Sequence, residues 1–161
     1  MADTVLIHPN RDKAESKVTR VAVVVLLLTS AGLVLVVTLG GWSVLQGAQV
    51  VSFAYVVVFV VMAFFVARWN RGVLPVAAAI AILFAVIAAV AAPAWFERDK
   101  AGFDDPTLEP SILGLLTLIL VAVQLLLILF AMRGFQQQWN VEVEVTREEA
   151  ERYRGGKLRT A

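Results

Sequence analysis

The sequence contains no cysteine and a single histidine, His8. Without cysteine there is no disulfide, no thiolate metal site and no iron–sulfur cluster, and the redox compartment stays undetermined. With one histidine, haem held by two intramembrane histidines and a metalloprotease built on histidine ligands are excluded. We therefore expect neither a metal site nor a cofactor.

Charged residues are missing from three long stretches. The stretches lie between Arg20 and Arg68, between Arg71 and Glu97, and between Glu109 and Arg133. A membrane-spanning helix needs about 20 mainly apolar residues, so the first stretch holds two such helices and the others hold one each. A chain with 60% hydrophobic and 17% charged residues is also too apolar for a soluble domain. The sequence predicts an all-α membrane protein built as a four-transmembrane-helix bundle.

The predicted spans cover about residues 21–40, 49–67, 73–92 and 111–132, within a transmembrane domain of residues 21–133. Residues 1–20 are expected to form a flexible cytoplasmic tail, residues 97–110 an outer loop and residues 134–161 a cytoplasmic C-terminal tail. A signal peptide is the alternative for the first apolar run. That run exceeds the 7 to 15 residues of a signal core, so we expect an uncleaved helix.

The distribution of charge predicts the orientation of the chain. Basic residues precede the first span, separate the second from the third and follow the fourth: Arg11, Lys13, Lys17, Arg20, Arg68, Arg71 and Arg133. Five acids dominate the predicted outer loop: Glu97, Asp99, Asp104, Asp105 and Glu109. Because Lys and Arg favour cytoplasmic segments, we expect a multi-pass plasma-membrane protein with both termini in the cytoplasm. The acids lack the spacing of a calcium-binding loop, and solvated acids or a site for a basic partner both remain open.

Small residues line one face of the third span, which carries nine alanines and ends near Pro93. Helices in lipid associate by close van der Waals approach, which small side chains permit, so we expect the other helices to pack on this one. The predicted helix-packing residues are Ala78, Ala81, Ala85 and Ala88 of this span and Gly114, Thr117 and Gln124 of the fourth. Heptad-like spacing predicts a left-handed crossing of these two helices.

Reactive groups are scarce in the spans, which contain no charged residue and no histidine. We find no phosphate-binding loop and no nucleophile with an adjacent base, so we do not expect an enzyme. Gln124 is predicted to hydrogen-bond across the bundle to a Ser or Thr, the alternative being the lining of a hydrophilic passage. The Tyr55 hydroxyl is likewise predicted to have a hydrogen-bond partner in the interior, with the same alternative.

The C-terminal tail alternates valine with glutamate. Val141, Val143 and Val145 would share one face of a strand, with Glu142 and Glu144 on the other. A lone strand cannot stabilise itself, so the segment is either a solvated tail or binds a partner by adding to the edge of its sheet. These five residues are the candidate partner-binding residues.

A capping-box pattern follows the strand, from Thr146 to Glu149, and predicts a short helix through about Arg154. Gly155 and Gly156 are expected to end it. The last residues are expected to be disordered.

The function that these features favour is noncatalytic: a small accessory or scaffolding subunit of a larger bacterial membrane complex. Its expected partners are membrane lipid and other membrane subunits or copies of itself, and not nucleic acid. The bacterial origin is inferred from ten arginines against four lysines, typical of GC-rich codon usage. The alternative is an oligomeric transporter or channel for an uncharged or lipid-like solute, lined by Gln124, Thr117 and Tyr55. A membrane sensor or adaptor that signals through its tail is a third possibility.

Overall fold

The computed structural model of the chain describes residues 4–98, 100, 102 and 106–160. Three acids of the predicted outer loop, Asp99, Asp104 and Asp105, lie outside the described residues. The elements in chain order are β1 (Thr4–Ile7), α1 (Pro9–Asp12), α2 (Ala14–Gly40), a 3₁₀ turn (Trp42–Val44), α3 (Ala48–Ala67), α4 (Val73–Glu97), α5 (Pro110–Gln136), β2 (Val143–Thr146) and α6 (Arg147–Thr160).

Among the described residues, α2, α3, α4 and α5 are each long and apolar enough to cross a membrane. The four predicted long apolar helices are therefore confirmed, and the mostly helical structure fits an all-α membrane protein. Three helices extend well beyond the predicted spans: α2 begins at Ala14, α4 continues through Pro93 to Glu97, and α5 continues to Gln136. Proline is tolerated within membrane helices because neighbouring groups satisfy the carbonyl that loses its donor.

The packing of the helices differs from the sequence-based expectation. Helix α4 packs extensively on α5, while α2 packs on both α3 and α5, and α3 and α4 touch little. The middle of the structure is therefore formed by α2 and α5, and the alanine-rich α4 is not the helix on which the others pack. Rings lie between α3 and α4: the Phe84 ring centroid is 4.6 Å from that of Tyr55 and 5.6 Å from that of Phe59. Side chains of this size hold two backbones apart where alanines would let them approach.

Residues 4–20 form strand and helix, so the prediction of a flexible tail was wrong for this part of the N-terminal segment. Strand β1 pairs antiparallel with β2, with Thr4 opposite Thr146 and Ile7 opposite Val143. The backbone groups of each strand thus gain partners that neither strand has alone. The pairing joins segments almost a whole chain length apart, which no local pattern reveals.

Helix α6 begins with the predicted capping box. The backbone N–H and the hydroxyl of Thr146 donate to Glu149 Oε2, each over 3.1 Å, and the Glu149 N–H donates back to Thr146 Oγ1 over 3.4 Å. The helix then continues to Thr160, beyond the glycine pair expected to end it. Glycine lowers helix stability by about 1 kcal/mol per residue but does not forbid the conformation.

The turn between α3 and α4 ends α3 with a left-handed residue, which is Trp69 at φ 65°. The N–H of Asn70 donates to the Phe65 carbonyl and that of Trp69 to the Val66 carbonyl, the pair of bonds that defines a Schellman motif. Gly72, the residue type of this turn that best tolerates the left-handed conformation, has instead a helical φ of −63°. The backbone of a tryptophan at the left-handed position is strained, and contacts of its ring must offset the cost.

The described N-terminal and C-terminal segments lie at the same end of the helices as this turn, and we call it the basic end. The β1–β2 pairing joins the two terminal segments there. Arg20 donates to the Ala67 carbonyl and Arg71 to the Phe135 carbonyl at the same end. At the opposite end the N–H of Leu108 donates to the Gly40 carbonyl over 3.0 Å.

Candidate functional site

The predicted helix-packing residues lie mostly in the interior. Ala78, Ala81 and Ala88 of α4 are buried, and Ala85 is half-buried. Gly114, Thr117 and Gln124 of α5 are also buried. Phe84, which the alanine pattern did not include, is buried on the same helix. The interface of α4 thus combines small residues with one large ring.

Gln124 makes the predicted hydrogen bond across the bundle, and its partner is on α2. Its Nε2 donates to Ser30 Oγ over 2.8 Å, and both side chains are fully buried. Ser30 in turn donates to the Leu26 carbonyl of its own helix over 2.8 Å. Gln124 therefore connects α5 to α2 and does not line either of the two cavities described below.

A cavity of about 300 Å³ lies toward the end opposite the basic end, between α2, α3, α4 and α5. Most of its lining is apolar and includes Val34, Leu45, Phe84, Ala88, Ala91 and Leu120. One charged residue, Arg98, contributes to the lining. The limited contact between α3 and α4 leaves this space unfilled.

Three hydroxyl groups also line the cavity, and each donates to a backbone carbonyl one turn earlier in its own helix. Thr38 donates to Val34 and Thr117 to Leu113, both over 2.7 Å. Ser52 donates to Ala48 over 3.1 Å. Because these protons are already used, the hydroxyls offer a ligand no donor. Away from Arg98, the lining therefore suits hydrocarbon better than a polar solute.

Tyr55 is placed beside this cavity by its ring contacts with Phe84 and Phe59. It is half-buried, and its ring packs between α3 and α4. Of the three residues expected to line a transport path, Thr117 alone lines the cavity. The structure does not bring Gln124, Thr117 and Tyr55 together around one passage.

A second site is formed at the basic end by residues 4–20, 68–72 and 135–155, which we call the basic-end cap. Its centre is Trp139, which is fully buried and whose Nε1 donates to Gln137 Oε1 over 3.0 Å. Gln137 Nε2 donates to Thr19 on α2, also over 3.0 Å. The Trp69 ring meets the Trp139 ring edge to face at 5.3 Å, and the Arg20 guanidinium lies 4.3 Å above the Trp69 ring.

Arginines bind the three segments of the cap together through backbone carbonyls. Arg11 Nε donates to the Trp139 carbonyl over 2.8 Å. Arg71 Nε donates to the Phe135 carbonyl over 2.7 Å, and its Nη1 donates to Asn140 Oδ1 over 2.9 Å. Hydrogen bonds with a charged donor are stronger than neutral ones. The N-terminal segment, the α3–α4 turn and the C-terminal segment therefore form one connected unit.

The candidate partner-binding residues belong to this cap. Val141 and Val145 are half-buried, whereas Val143, Glu142 and Glu144 are exposed. The expectation that their strand lacks a neighbour was wrong, because β1 occupies one edge of β2. The strand also begins at Val143, two residues later than the alternation suggests. His8 Nε2 lies 3.0 Å from Glu142 Oε1 and adds a side-chain contact beside the sheet.

No local sequence pattern indicates the cap. The distribution of basic residues predicts only the orientation of the chain, whereas Arg11, Arg20 and Arg71 also bind carbonyls. Among the described residues, no three His, Asp or Glu side chains are grouped so that they could hold a metal ion. Comparison with protein-family models, with curated proteins and with solved structures finds no match to this chain.

Proposed function

We propose that the chain is a noncatalytic accessory or scaffolding subunit of a membrane complex, and that its basic-end cap binds a cytoplasmic partner. The observation that carries the proposal is the β1–β2 sheet, which is held at the end of the bundle by the cap. The excess of Lys and Arg at this end favours a cytoplasmic location.

The sheet supplies a binding edge of known chemistry. In a two-stranded sheet each strand has one neighbour, so backbone groups at alternate positions of β2 point away from β1. An exposed edge of this kind pairs with an added strand. An isolated two-stranded sheet is marginally stable, and the anchoring of the segment through Arg11 and Trp139 offsets this weakness. The edge is thus preorganised for a partner strand.

The test is gentle extraction of the tagged full chain at native expression level, followed by mass spectrometry of the proteins that co-purify in fixed ratio. The informative variant is Val145→Pro, because proline within β2 removes a backbone donor and disrupts the strand. The matched control is Arg147→Pro, since position 147 is the first residue of α6, where proline is tolerated.

We expect the wild type and Arg147→Pro to recover one membrane complex at constant stoichiometry, and Val145→Pro to lose most of it. Recovery of the chain alone, or only as a homo-oligomer, would argue against the accessory function. Equal recovery of the complex by both proline variants would exclude a role of the sheet edge in binding.

The cavity supports a second candidate function, the binding or passage of a lipid-like molecule. Its volume of about 300 Å³ lies at the lower end of the range for ligand sites. The three lining hydroxyls offer no free donor, which favours hydrocarbon over a polar solute. A passage through Gln124 has no such support, because that side chain is bonded to Ser30.

Filling the cavity tests this candidate. Ala91 lines the cavity, whereas Ala89 is exposed on the outside of the same helix. In reconstituted protein, a photoactivatable diazirine fatty acid should label cavity residues in the wild type and in Ala89→Phe, and much less in Ala91→Phe. Identical labelling of the two phenylalanine variants would exclude the cavity as a binding site.

A further inference from the structure

A groove in the basic-end cap combines positive charge with an apolar wall. Its volume is about 930 Å³, and it lies between β1, the start of α2, the α3–α4 turn and α6. Four basic side chains line it, namely Arg11, Lys17, Arg20 and Arg154, together with the carboxylate of Asp12. His8, Leu6, Ile7, Trp69 and Tyr153 complete the lining. The groove therefore carries an excess of positive charge.

Two of these guanidinium groups are held in place by the fold. Arg11 uses its Nε to bind the Trp139 carbonyl, and Arg20 uses one Nη to bind the Ala67 carbonyl over 3.1 Å. An arginine has five N–H donors, so each group has others left for a ligand. The Arg20 guanidinium is fixed further by the Trp69 ring beneath it. Groups fixed in advance lose little conformational entropy when they bind an anion.

Neighbouring acids leave most of this charge uncompensated. Among the described residues, the ion pairs of His8 with Glu142 and of Arg133 with Glu15 involve none of the four basic side chains that line the groove. Within the groove, Asp12 accepts a hydrogen bond from the Tyr153 hydroxyl over 3.3 Å. One carboxylate faces four basic side chains.

The groove lies at the height where the membrane begins. Arg20 is the last charged residue before the apolar run that continues to residue 67, and Trp69 follows the end of the second span. Arginine and tryptophan at such positions lie in the headgroup layer. Basic pockets on the cytoplasmic side of membrane helices are suited to phospholipid headgroups.

We propose that this groove binds the phosphate headgroup of an anionic phospholipid from the adjacent leaflet. The fixed guanidinium groups of Arg11 and Arg20 donate to the phosphate oxygens, and Lys17 and Arg154 add attraction at the rim. Leu6, Ile7 and Trp69 provide an apolar surface for the glycerol backbone and the first methylene groups. This inference stands independently of the accessory function.

The test measures lipid binding to the full chain in detergent micelles by native mass spectrometry. Phosphatidylglycerol is titrated against phosphatidylcholine, with inorganic phosphate as a third probe. The variant Lys17→Gln/Arg154→Gln removes two rim charges. The control Arg68→Gln/Arg133→Gln removes the same charge at the same end but outside the groove lining.

We expect the wild type to retain phosphatidylglycerol in preference to phosphatidylcholine. The rim variant should lose about thirtyfold in affinity for phosphatidylglycerol, since each basic side chain beside the bound headgroup contributes about fivefold and the contribution falls with distance from it. The control should lose less than about threefold. The charge-conserving variant Lys17→Arg/Arg154→Lys should bind phosphatidylglycerol like the wild type, which separates the loss of charge from misfolding.

Three results would overturn the proposal. The first is a wild type that shows no preference for the anionic lipid. The second is an equal loss in the rim variant and the control, which would indicate diffuse surface charge without a site. The third is saturation by inorganic phosphate that displaces the lipid at equal concentration, which would make a soluble phosphate compound the ligand.

Discussion

The buried contact between Gln124 and Ser30 predicts losses of stability of different size when each of its two members is replaced. Gln124 Nε2 donates to Ser30 Oγ over 2.8 Å, and both residues are fully buried. The other half of the amide, Gln124 Oε1, is buried with no hydrogen-bond partner among the described residues. Ser30 also donates to the Leu26 carbonyl, so its hydroxyl proton has a partner without Gln124.

The magnitudes follow from these contacts. A hydrogen bond between membrane helices contributes about 0.6 kcal/mol on average and at most about 1.7. A buried polar group without a partner costs about 1–3 kcal/mol. Gln124→Leu loses the hydrogen bond but also removes the unpaired amide oxygen. The free energy of unfolding should therefore fall by no more than about 1 kcal/mol. Ser30→Ala leaves the whole amide unpaired and should lower it by about 1–3 kcal/mol.

The assay is reversible unfolding in mixed micelles with increasing sodium dodecyl sulfate, followed by circular dichroism and tryptophan fluorescence. The control is Ser52→Ala, whose hydroxyl also bonds a carbonyl one turn earlier but, within the described part of the chain, makes no hydrogen bond to another helix. It should change the free energy of unfolding by less than about 0.5 kcal/mol. The double variant Ser30→Ala/Gln124→Leu should resemble Gln124→Leu, because the unpaired amide is gone. A loss above about 2 kcal/mol for Gln124→Leu, or equal stability of Ser30→Ala and Ser52→Ala, would refute the reasoning.

Three further predictions concern the basic-end cap. Gly134→Val should lower the free energy of unfolding by about 1–3 kcal/mol in the same assay. The reason is that a Cβ at this position lies 3.1 Å from the fully buried Trp139 ring. Wild-type stability of the variant would contradict this packing. Trp69→Gly should be more stable than Trp69→Ala by about 1 kcal/mol, because the backbone at φ 65° favours glycine, and equal stability would argue against a strained turn. The Thr146 N–H and hydroxyl lower the pKa of Glu149 from its ordinary value of 4.5, so its stabilising contribution is present above pH 4.5 and is lost as the pH falls through the lower pKa of the folded chain. The protection of the amides at the start of α6, expressed relative to their intrinsic exchange rate at each pH, should therefore decrease in acid. Glu149→Gln should show lower protection than the wild type at pH 7 and a protection that depends less on pH.

The capping box at Thr146 and Glu149 was predictable because its chemistry is local. Both residues lie within one helical turn, so their spacing in the sequence fixes their distance in the folded chain. The hydrogen bond of Gln124 was predictable only in kind. A lone amide in an apolar span must seek a hydroxyl, but sequence could not choose Ser30 among the available serines and threonines.

The basic-end cap could not be predicted, since it depends on contacts between segments that are remote in the chain. Val5 pairs with Val145, and Arg11 reaches the carbonyl of Trp139. The residues that form these contacts look ordinary in sequence: a short apolar run, a basic residue and a tryptophan after a span. Each becomes informative only when the helices bring both termini to one end.

The sequence by itself determined the number, length and apolar character of the membrane-spanning helices. It could do so because the absence of charge over 20 residues is a property of the chain alone. The tertiary structure decided which helices touch, where the cavity lies and how the basic residues gather around a groove. These features depend on side-chain size and on the meeting of distant segments: rings such as Phe84 keep α3 from α4, and the pairing of β1 with β2 draws the N-terminal basic residues toward the C-terminal tail.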